Sequence, residues 1–172
     1  MVMNRLGRTT DTAWVSLLAE QLICEIADQM GAIRLSCERS VPRCEADNRE
    51  MSVMSARVGG DYSISIYFVA EHSLFVRLAR NMLGKEPEEE DVHTYAGEFF
   101  NIVCGRFISE LINKADISVR LMPVDNEPQN AEKTLNEKLV KKLHFISDMK
   151  EYAVFSWTYL PIEEMLRRGM SE

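Results

Sequence analysis

Residues 94–107 read TYAGEFFNIVCGRF, and the architecture that we predict for the chain follows from this stretch. Its apolar side chains recur at the spacing of an α-helix, yet it contains glycines at 97 and 105, which are poor helix formers. Between the glycines lie Glu98 and Asn101, three residues apart and therefore neighbours on one side of a helix. The pattern predicts a helix that presents one acid and one amide beside small residues.

A helical wheel separates this segment into two sides. At roughly 100° per residue, a small-and-polar set falls within about 60° of Glu98. This set, called the polar stripe below, consists of Asp91, Thr94, Glu98, Asn101, Gly105 and Ser109. The opposite half is apolar and is predicted to face the core; it carries Phe99, Phe100, Val103, Cys104, Phe107 and Leu111. We predict one long helix over about 89–114.

Gly105 favours a docking surface over a merely hydrated one. A glycine in the middle of a helix costs about 1 kcal/mol relative to alanine, and here it leaves a notch beside Asn101. A notch allows the backbone or side chain of another molecule to approach closely. An ordinary solvent-facing helix surface is the alternative, and the pattern by itself leaves that alternative open.

The flanking segments predict two further helices. Residues 10–30 have helical spacing, with Thr9, Thr10 or Asp11 as the N-cap and Gly31 as the stop. Residues 71–83 form the other helix, and Gly84 ends it. The tail at 161–172 has the composition of a short terminal helix.

Strands are predicted between these helices, mostly in hairpins. Residues 51–58 and 62–68 flank Gly59-Gly60-Asp61, which supplies the backbone freedom of a tight turn. Three further segments read as β: residues 32–38, residues 117–123 and a second hairpin over 139–160. Residues 124–137 read as a loop. We therefore predict an α/β (α+β) fold with one mostly antiparallel sheet of about five or six strands and the two long helices on one face.

Composition narrows the class of protein. The 172 residues are enough for one domain, predicted to span 1–172. The net charge of −7 argues against nucleic acid or an anionic membrane as the main partner. The sequence contains no run of about 18 apolar residues, so we predict no membrane span. The cysteines form no CxxC and the three histidines are far apart, so we expect no metal site and a cytoplasmic protein with reduced cysteines.

Residues 60–123 resemble the CheC/CheX family of chemotaxis phosphatases. Four segments match in order, and they read GDYSISIYF, ARNMLGKEPEEED, AGEFFNIVCGRFISEL and ISVRLMP. The third resembles the family's ExxN helix. The resemblance continues weakly through the first helix and the last hairpin, so it covers most of the chain and implies a CheC/CheX-like fold.

The resemblance implies an activity and a partner. Members of the family hydrolyse the phosphoaspartate of CheY, a phosphorylated response regulator. By this resemblance Glu98 pairs with the regulator's active-site lysine, and Asn101 holds the attacking water in line with the phosphoryl group. Thr94, Gly97 and Gly105 belong to the docking surface. Mg²⁺ is expected in the partner receiver domain, with no cofactor in this chain.

The chain also departs from the family pattern. Thr94 stands where the family often has Asp or Ser. The CheC branch has two ExxN helices, whereas here Glu25 is followed by Asp28, and the letters EADN at 45–48 lie in a predicted loop. One motif resembles the CheX branch, whose members pair through sheet edges, so the resemblance implies a homodimer. Thr94 keeps open the alternative of a non-catalytic module that binds a receiver or another signalling protein.

A small-molecule enzyme is the third alternative. The sequence contains neither a recognisable nucleophile–base pattern nor a glycine-rich phosphate loop, and this argues against that reading.

Overall fold

A computed structural model describes residues 13–40, 49–60, 64–115, 119–121 and 140–158. Within these ranges the chain forms three α-helices and six β-strands. In chain order they are α1 (Ala13–Gly31), β1 (Leu35–Glu38), β2 (Met51–Gly60), β3 (Ile64–Glu71), α2 (His72–Leu83), α3 (Glu89–Ala115), β4 (Val119–Leu121), β5 (Val140–Ser147) and β6 (Tyr152–Thr158).

Some predictions fall outside the described residues and stay predictions. They are the N-cap at 9–11, the EADN loop at 45–48, the turn residue Asp61, the loop at 124–137 and the terminal helix at 161–172.

The six strands form one antiparallel sheet in the order β1-β5-β6-β3-β2-β4. Both predicted hairpins are present: β2 pairs with β3 with Val58 opposite Ile64, and β5 pairs with β6. The predicted turn differs, because Gly59 and Gly60 continue β2 and pair with β4. The centre of the sheet joins the two hairpins, because β3 pairs with β6 with Phe68 opposite Phe155. The prediction of a mostly antiparallel sheet is confirmed.

The helices cover one face of the sheet. Along β3 the side chains of Ile64, Ile66 and Phe68 are buried, while Ser65 and Tyr67 are only half-buried. One hydrophobic cluster joins the buried residues of β3 to those of all three helices. The predicted placement of the two long helices is confirmed, and α2 lies in the same layer.

Helices α1 and α3 lie side by side and run antiparallel. Near one end, Arg106 Nη1 lies 3.2 Å from Glu25 Oε1. Towards the other end, Lys114 Nζ lies 5.1 Å from the centroid of the Trp14 ring. Because α1 numbering rises from the second contact to the first while α3 numbering falls, the two chains point in opposite directions.

Helix α1 ends at the predicted residue, but for a different reason from the one expected. The helix does end at Gly31, but the residue with a left-handed backbone is Ala32, at φ 49°. A Cβ atom on Gly31 would lie 2.5 Å from Leu78 Cδ1 of α2. Gly31 therefore allows α1 and α2 to approach closely. The predicted stop at Gly84 is confirmed, because Gly84 has φ 68° and its N–H donates to the Arg80 carbonyl.

An ionic cluster ties α2 to the turn between β5 and β6. Arg77 Nε and Nη2 donate to the two carboxylate oxygens of Glu151 at 3.1 and 2.6 Å. Arg77 Nη2 also donates to Asp148 Oδ1 at 2.9 Å. Glu151 is buried, so its charge depends on Arg77 for compensation.

Candidate functional site on the outer side of helix α3

Aromatic side chains fix the orientation of α3 on the sheet. The ring of Phe99 meets that of Phe68 edge-on at 5.5 Å between centroids. About two turns further on, the ring of Phe107 packs at 5.6 Å against both Phe155 and Trp157. All the residues predicted for the core side of this helix are buried. Rotation of α3 about its axis would expose these rings, so the polar stripe is held outwards.

Glu98 and Asn101 are both exposed on that outward side, one turn apart. No hydrogen bond or ion pair connects the Glu98 carboxylate or the Asn101 amide to any residue that the structure describes. The amide offers both an acceptor oxygen and a donor NH₂, and the carboxylate offers acceptor oxygens. The arrangement can therefore receive a cation and a water molecule without breaking an internal contact.

Thr94 and Asp91 each form a hydrogen bond with the backbone near the start of α3. The Thr94 hydroxyl donates to the Glu90 carbonyl at 2.8 Å, so its proton is used within the helix while its oxygen remains an acceptor. Asp91 Oδ2 accepts from the backbone N–H of Glu88 at 3.0 Å. Thr94 is exposed on the polar stripe, as predicted from the sequence.

The two glycines differ in exposure. Gly105 is exposed, and a Cβ atom added there would meet no atom of the described residues within 4 Å outside the adjoining backbone of its own helix. Its φ is not positive, so the backbone does not require glycine at this position. Gly97 is half-buried at the border of the polar stripe. The predicted notch beside Asn101 is thus open space.

The acid on α1 is already engaged. Glu25 Oε1 accepts from Gln29 Nε2 at 3.0 Å and pairs with Arg106 of α3. Glu25 therefore joins two neighbouring helices, and Asp28 takes the place of the amide that a second motif would need. These contacts support one ExxN motif in the described helices.

Ile102 is a residue of this surface that the sequence analysis did not single out. It follows Asn101 directly and lies one turn after Glu98, and its side chain is 37% exposed. The same wheel arithmetic places it about 40° from Glu98, within the angular range of the polar stripe. The sequence analysis grouped only small and polar residues on this side of the helix and therefore left Ile102 out.

The cysteines offer no activated nucleophile in the described residues. Burial raises the pKa of the Cys104 thiol, and burial together with the nearby Glu20 raises that of Cys24. The same two causes raise the pKa of Cys37 to about 11. All three therefore remain thiols at neutral pH. The described ranges also contain no cluster of three or more histidine, cysteine, aspartate or glutamate side chains arranged to hold a metal ion.

Comparison with known proteins identifies the family. Residues 53–140, just over half of the chain, match the family model of the chemotaxis phosphatase CheX. The chain belongs to the CheX family. No curated protein sequence matches it.

Of the helices that the structure describes, none has the length and apolar composition to cross a bilayer.

Solved structures of CheX proteins share the fold. A CheX–CheY–BeF₃–Mg²⁺ complex from Borrelia burgdorferi includes a chain that is 12% identical, with a TM-score of 0.66 over 84% of this chain and 96% of that one. CheX from Vibrio vulnificus is 14% identical, with a TM-score of 0.63 over 83% of this chain and 95% of that one.

A protein that is not named CheX has a similar fold. FliY from Thermotoga maritima is 14% identical, with a TM-score of 0.65 over 99% of both chains. At such identities the likeness concerns the fold alone, and a fold can carry more than one function. The site residues therefore have to support any assignment of activity within the CheX family.

Proposed function

We propose that this chain is a phosphatase that hydrolyses the aspartyl phosphate of a CheY-like response regulator. The observation that carries the proposal is the pair Glu98 and Asn101. Both side chains are exposed on the outer side of a helix whose other side is locked into the core by aromatic rings. No residue that the structure describes forms a hydrogen bond or ion pair with either group, while phosphoryl transfer requires groups of these two kinds at fixed positions.

In this mechanism the chain supplies position and charge, and it forms no covalent intermediate. Asn101 orients a water molecule in line with the phosphorus–oxygen bond, through its carbonyl oxygen or its NH₂ group. Glu98 forms an ion pair with the receiver's active-site lysine, which aligns α3 with the phosphorylation site. The packing of α3 against the core fixes the backbone positions of both residues before the partner arrives, so that only their exposed side chains have to be ordered in the complex.

The receiver supplies the Mg²⁺ that neutralises charge on the phosphoryl group, and this chain needs no cofactor of its own. The Borrelia burgdorferi relative was solved together with CheY, BeF₃ and Mg²⁺, which supports a partner of this type. The polar stripe carries two carboxylates, Asp91 and Glu98, and no lysine or arginine lies within about 60° of Glu98 on the wheel. Such a surface suits a partner whose site presents a cation. The setting that we propose is the cytoplasm.

A non-catalytic receiver-binding module is the second candidate. Thr94 favours it, since it stands where the family often has Asp or Ser and its hydroxyl proton is donated to the Glu90 carbonyl. The fold also occurs in a protein named FliY. The two candidates predict the same docking surface but differ in the fate of the phosphoryl group.

One experiment separates the candidates. Purified CheY-like receivers from the same cell are phosphorylated with a small phosphodonor, and phosphate loss is followed with and without this chain. Affinity is measured in parallel with receivers activated by BeF₃⁻ and Mg²⁺. A phosphatase both binds and accelerates decay. Binding without acceleration selects the module, and absence of both with every receiver rejects the two candidates together.

A further inference from the structure

We propose that Ile102 is the apolar anchor by which this chain binds its receiver partner, contributing to affinity and leaving the chemical step unchanged. The inference rests on the proposed function, because it concerns the same side of α3. It assigns to Ile102 a role in binding that is distinct from the roles of Glu98 and Asn101.

The position of Ile102 is the first argument. It lies between the two polar groups of the site and the Arg106–Glu25 ion pair, one helical turn from each of Glu98 and Arg106. On the wheel, Gly105 lies about 60° away from it and one turn further along. Gly105 has no side chain, and the space beside it is open. An atom of the partner can therefore reach the helix surface next to Ile102 and contact its side chain.

The exposure of Ile102 is the second argument. Only three large apolar side chains are exposed among the described residues: Leu17, Ile102 and Met149. The core side of α3 is filled by other residues, and Ile102 is not part of the hydrophobic cluster that the described residues form. An apolar side chain surrounded by polar groups matches the usual organisation of a binding interface, with an apolar centre and a polar rim.

Charge indicates the occupant. Glu98 lies one turn before Ile102, and Arg106, one turn after it, has its charge paired with Glu25 at the border with α1. The complementary partner presents an apolar contact next to a cation. By the proposed function the receiver presents its active-site lysine to Glu98, so this occupant brings a cation next to Ile102. A second copy of this chain would instead place like charges against each other.

The test compares Ile102→Ser with Leu17→Ser. Both replace an exposed aliphatic residue in the helix layer, and Leu17 is 58% exposed on α1. Leu17 and Ile102 lie on opposite sides of the Glu25–Arg106 contact, eight and four residues from it, which separates them by about 18 Å along the helix axes. Leu17→Ser is therefore a control for the loss of a surface hydrophobe.

The expected result is a rise of about tenfold in the Kd for the BeF₃⁻-activated receiver, and in KM for the phosphorylated receiver, in Ile102→Ser. The kcat stays at the wild-type value, and Ile102→Val restores Kd and KM. Leu17→Ser leaves both constants unchanged. Circular dichroism and urea unfolding of all variants confirm that they fold.

Two results overturn the inference. One is a wild-type Kd in folded Ile102→Ser. The other is a fall in kcat with Kd and KM unchanged, which would place Ile102 in the chemical step. Failure of the proposed function can be distinguished from failure of this inference, because the wild-type protein then does not accelerate decay of the phosphorylated receiver. The binding measurement still tests Ile102 in that case, and a wild-type chain that binds no receiver rejects the inference as well.

Discussion

At the scale of single residues, carboxylates of similar chemistry have different tasks in this fold. The carboxylate of Glu151 is buried and takes two hydrogen bonds from Arg77, and that of Glu25 joins α1 to α3. The carboxylate of Glu98 makes no such contact with a described residue. A group that stability does not need is free to be selected for function.

Two of the helical glycines, Gly31 and Gly105, are expected to respond in opposite ways to substitution by alanine. Gly105→Ala should raise the free energy of unfolding by about 0.5–1 kcal/mol, since a Cβ meets no atom within 4 Å and alanine is the better helix former. Gly31→Ala should lower it by about 1 kcal/mol, since its Cβ would lie 2.5 Å from Leu78 Cδ1 in the core. Urea unfolding measures both. Changes of the same sign would contradict this account of Gly31.

The residues that the sequence analysis identified, and those that it did not, differ in a physical way. Glu98, Asn101 and Gly105 lie on one turn-to-turn row, so the helical period alone is enough to group them. The role of Gly31 depends on Leu78 of another helix, and no local pattern contains that contact. Ile102 is an apolar residue of the kind usually found in a core, and only its exposure in the structure identifies it as a surface residue.

At the scale of elements, local periodicity predicted the helices and hairpins, whereas pairing between distant strands required the structure. The strand predicted over 62–68 and the helix predicted over 71–83 are present as β3 (Ile64–Glu71) and α2 (His72–Leu83), and each buries apolar side chains. The junction of β3 with β6 joins residues almost ninety positions apart, as Phe68 opposite Phe155 illustrates. Strand order of this kind depends on which hydrophobic faces meet in the core, and a single segment does not encode it.

The contact between α2 and the β5–β6 turn gives an element-scale prediction. Arg77→Met should lower the free energy of unfolding by about 3 kcal/mol, because it leaves the charge of Glu151 buried without its partner. Arg80→Met is the matched control on the same helix, and it should have little effect because the Arg80–Glu86 pair is fully exposed. Urea unfolding at pH 7 compares the two. A loss as small as that of the control would show that the cluster contributes no stability.

The same cluster predicts a pH dependence. Hydrogen bonding from Arg77 lowers the pKa of Asp148 below its ordinary value. The carboxylate therefore stabilises the native state above that ordinary value, and this contribution is lost as the pH falls through the lowered pKa. In Arg77→Met the contribution is absent at neutral pH already, so the difference from wild type should narrow in acid.

At the scale of the whole molecule, the helices occupy one face of the sheet and the outer side of α3 is directed away from it. A receiver can therefore dock on α3 without disturbing the strands. The ends of the described sheet are the short strands β1 and β4, of four and three residues. Single-domain organisation over 1–172 and the pairing of two chains through sheet edges stay predictions.

The dimer prediction concerns mass in solution. If two chains pair through sheet edges, light scattering should give about 39 kDa at tens of micromolar, twice the 19.7 kDa of one chain. A substitution to proline within the pairing strand should then give monomers, since proline removes a ladder donor. A wild-type monomer at that concentration would show that the short edge strands do not associate.

The central claim is that Asn101 places the attacking water, and single-turnover decay of a phosphorylated receiver tests it most directly. Asn101→Ala should abolish acceleration while the Kd for the BeF₃⁻-activated receiver stays close to wild type, because the amide acts at the transition state. Glu98→Ala should impair both binding and rate. Both variants should keep wild-type stability, since both side chains are exposed. Full activity of Asn101→Ala would contradict the claim even if the wild-type chain is a phosphatase.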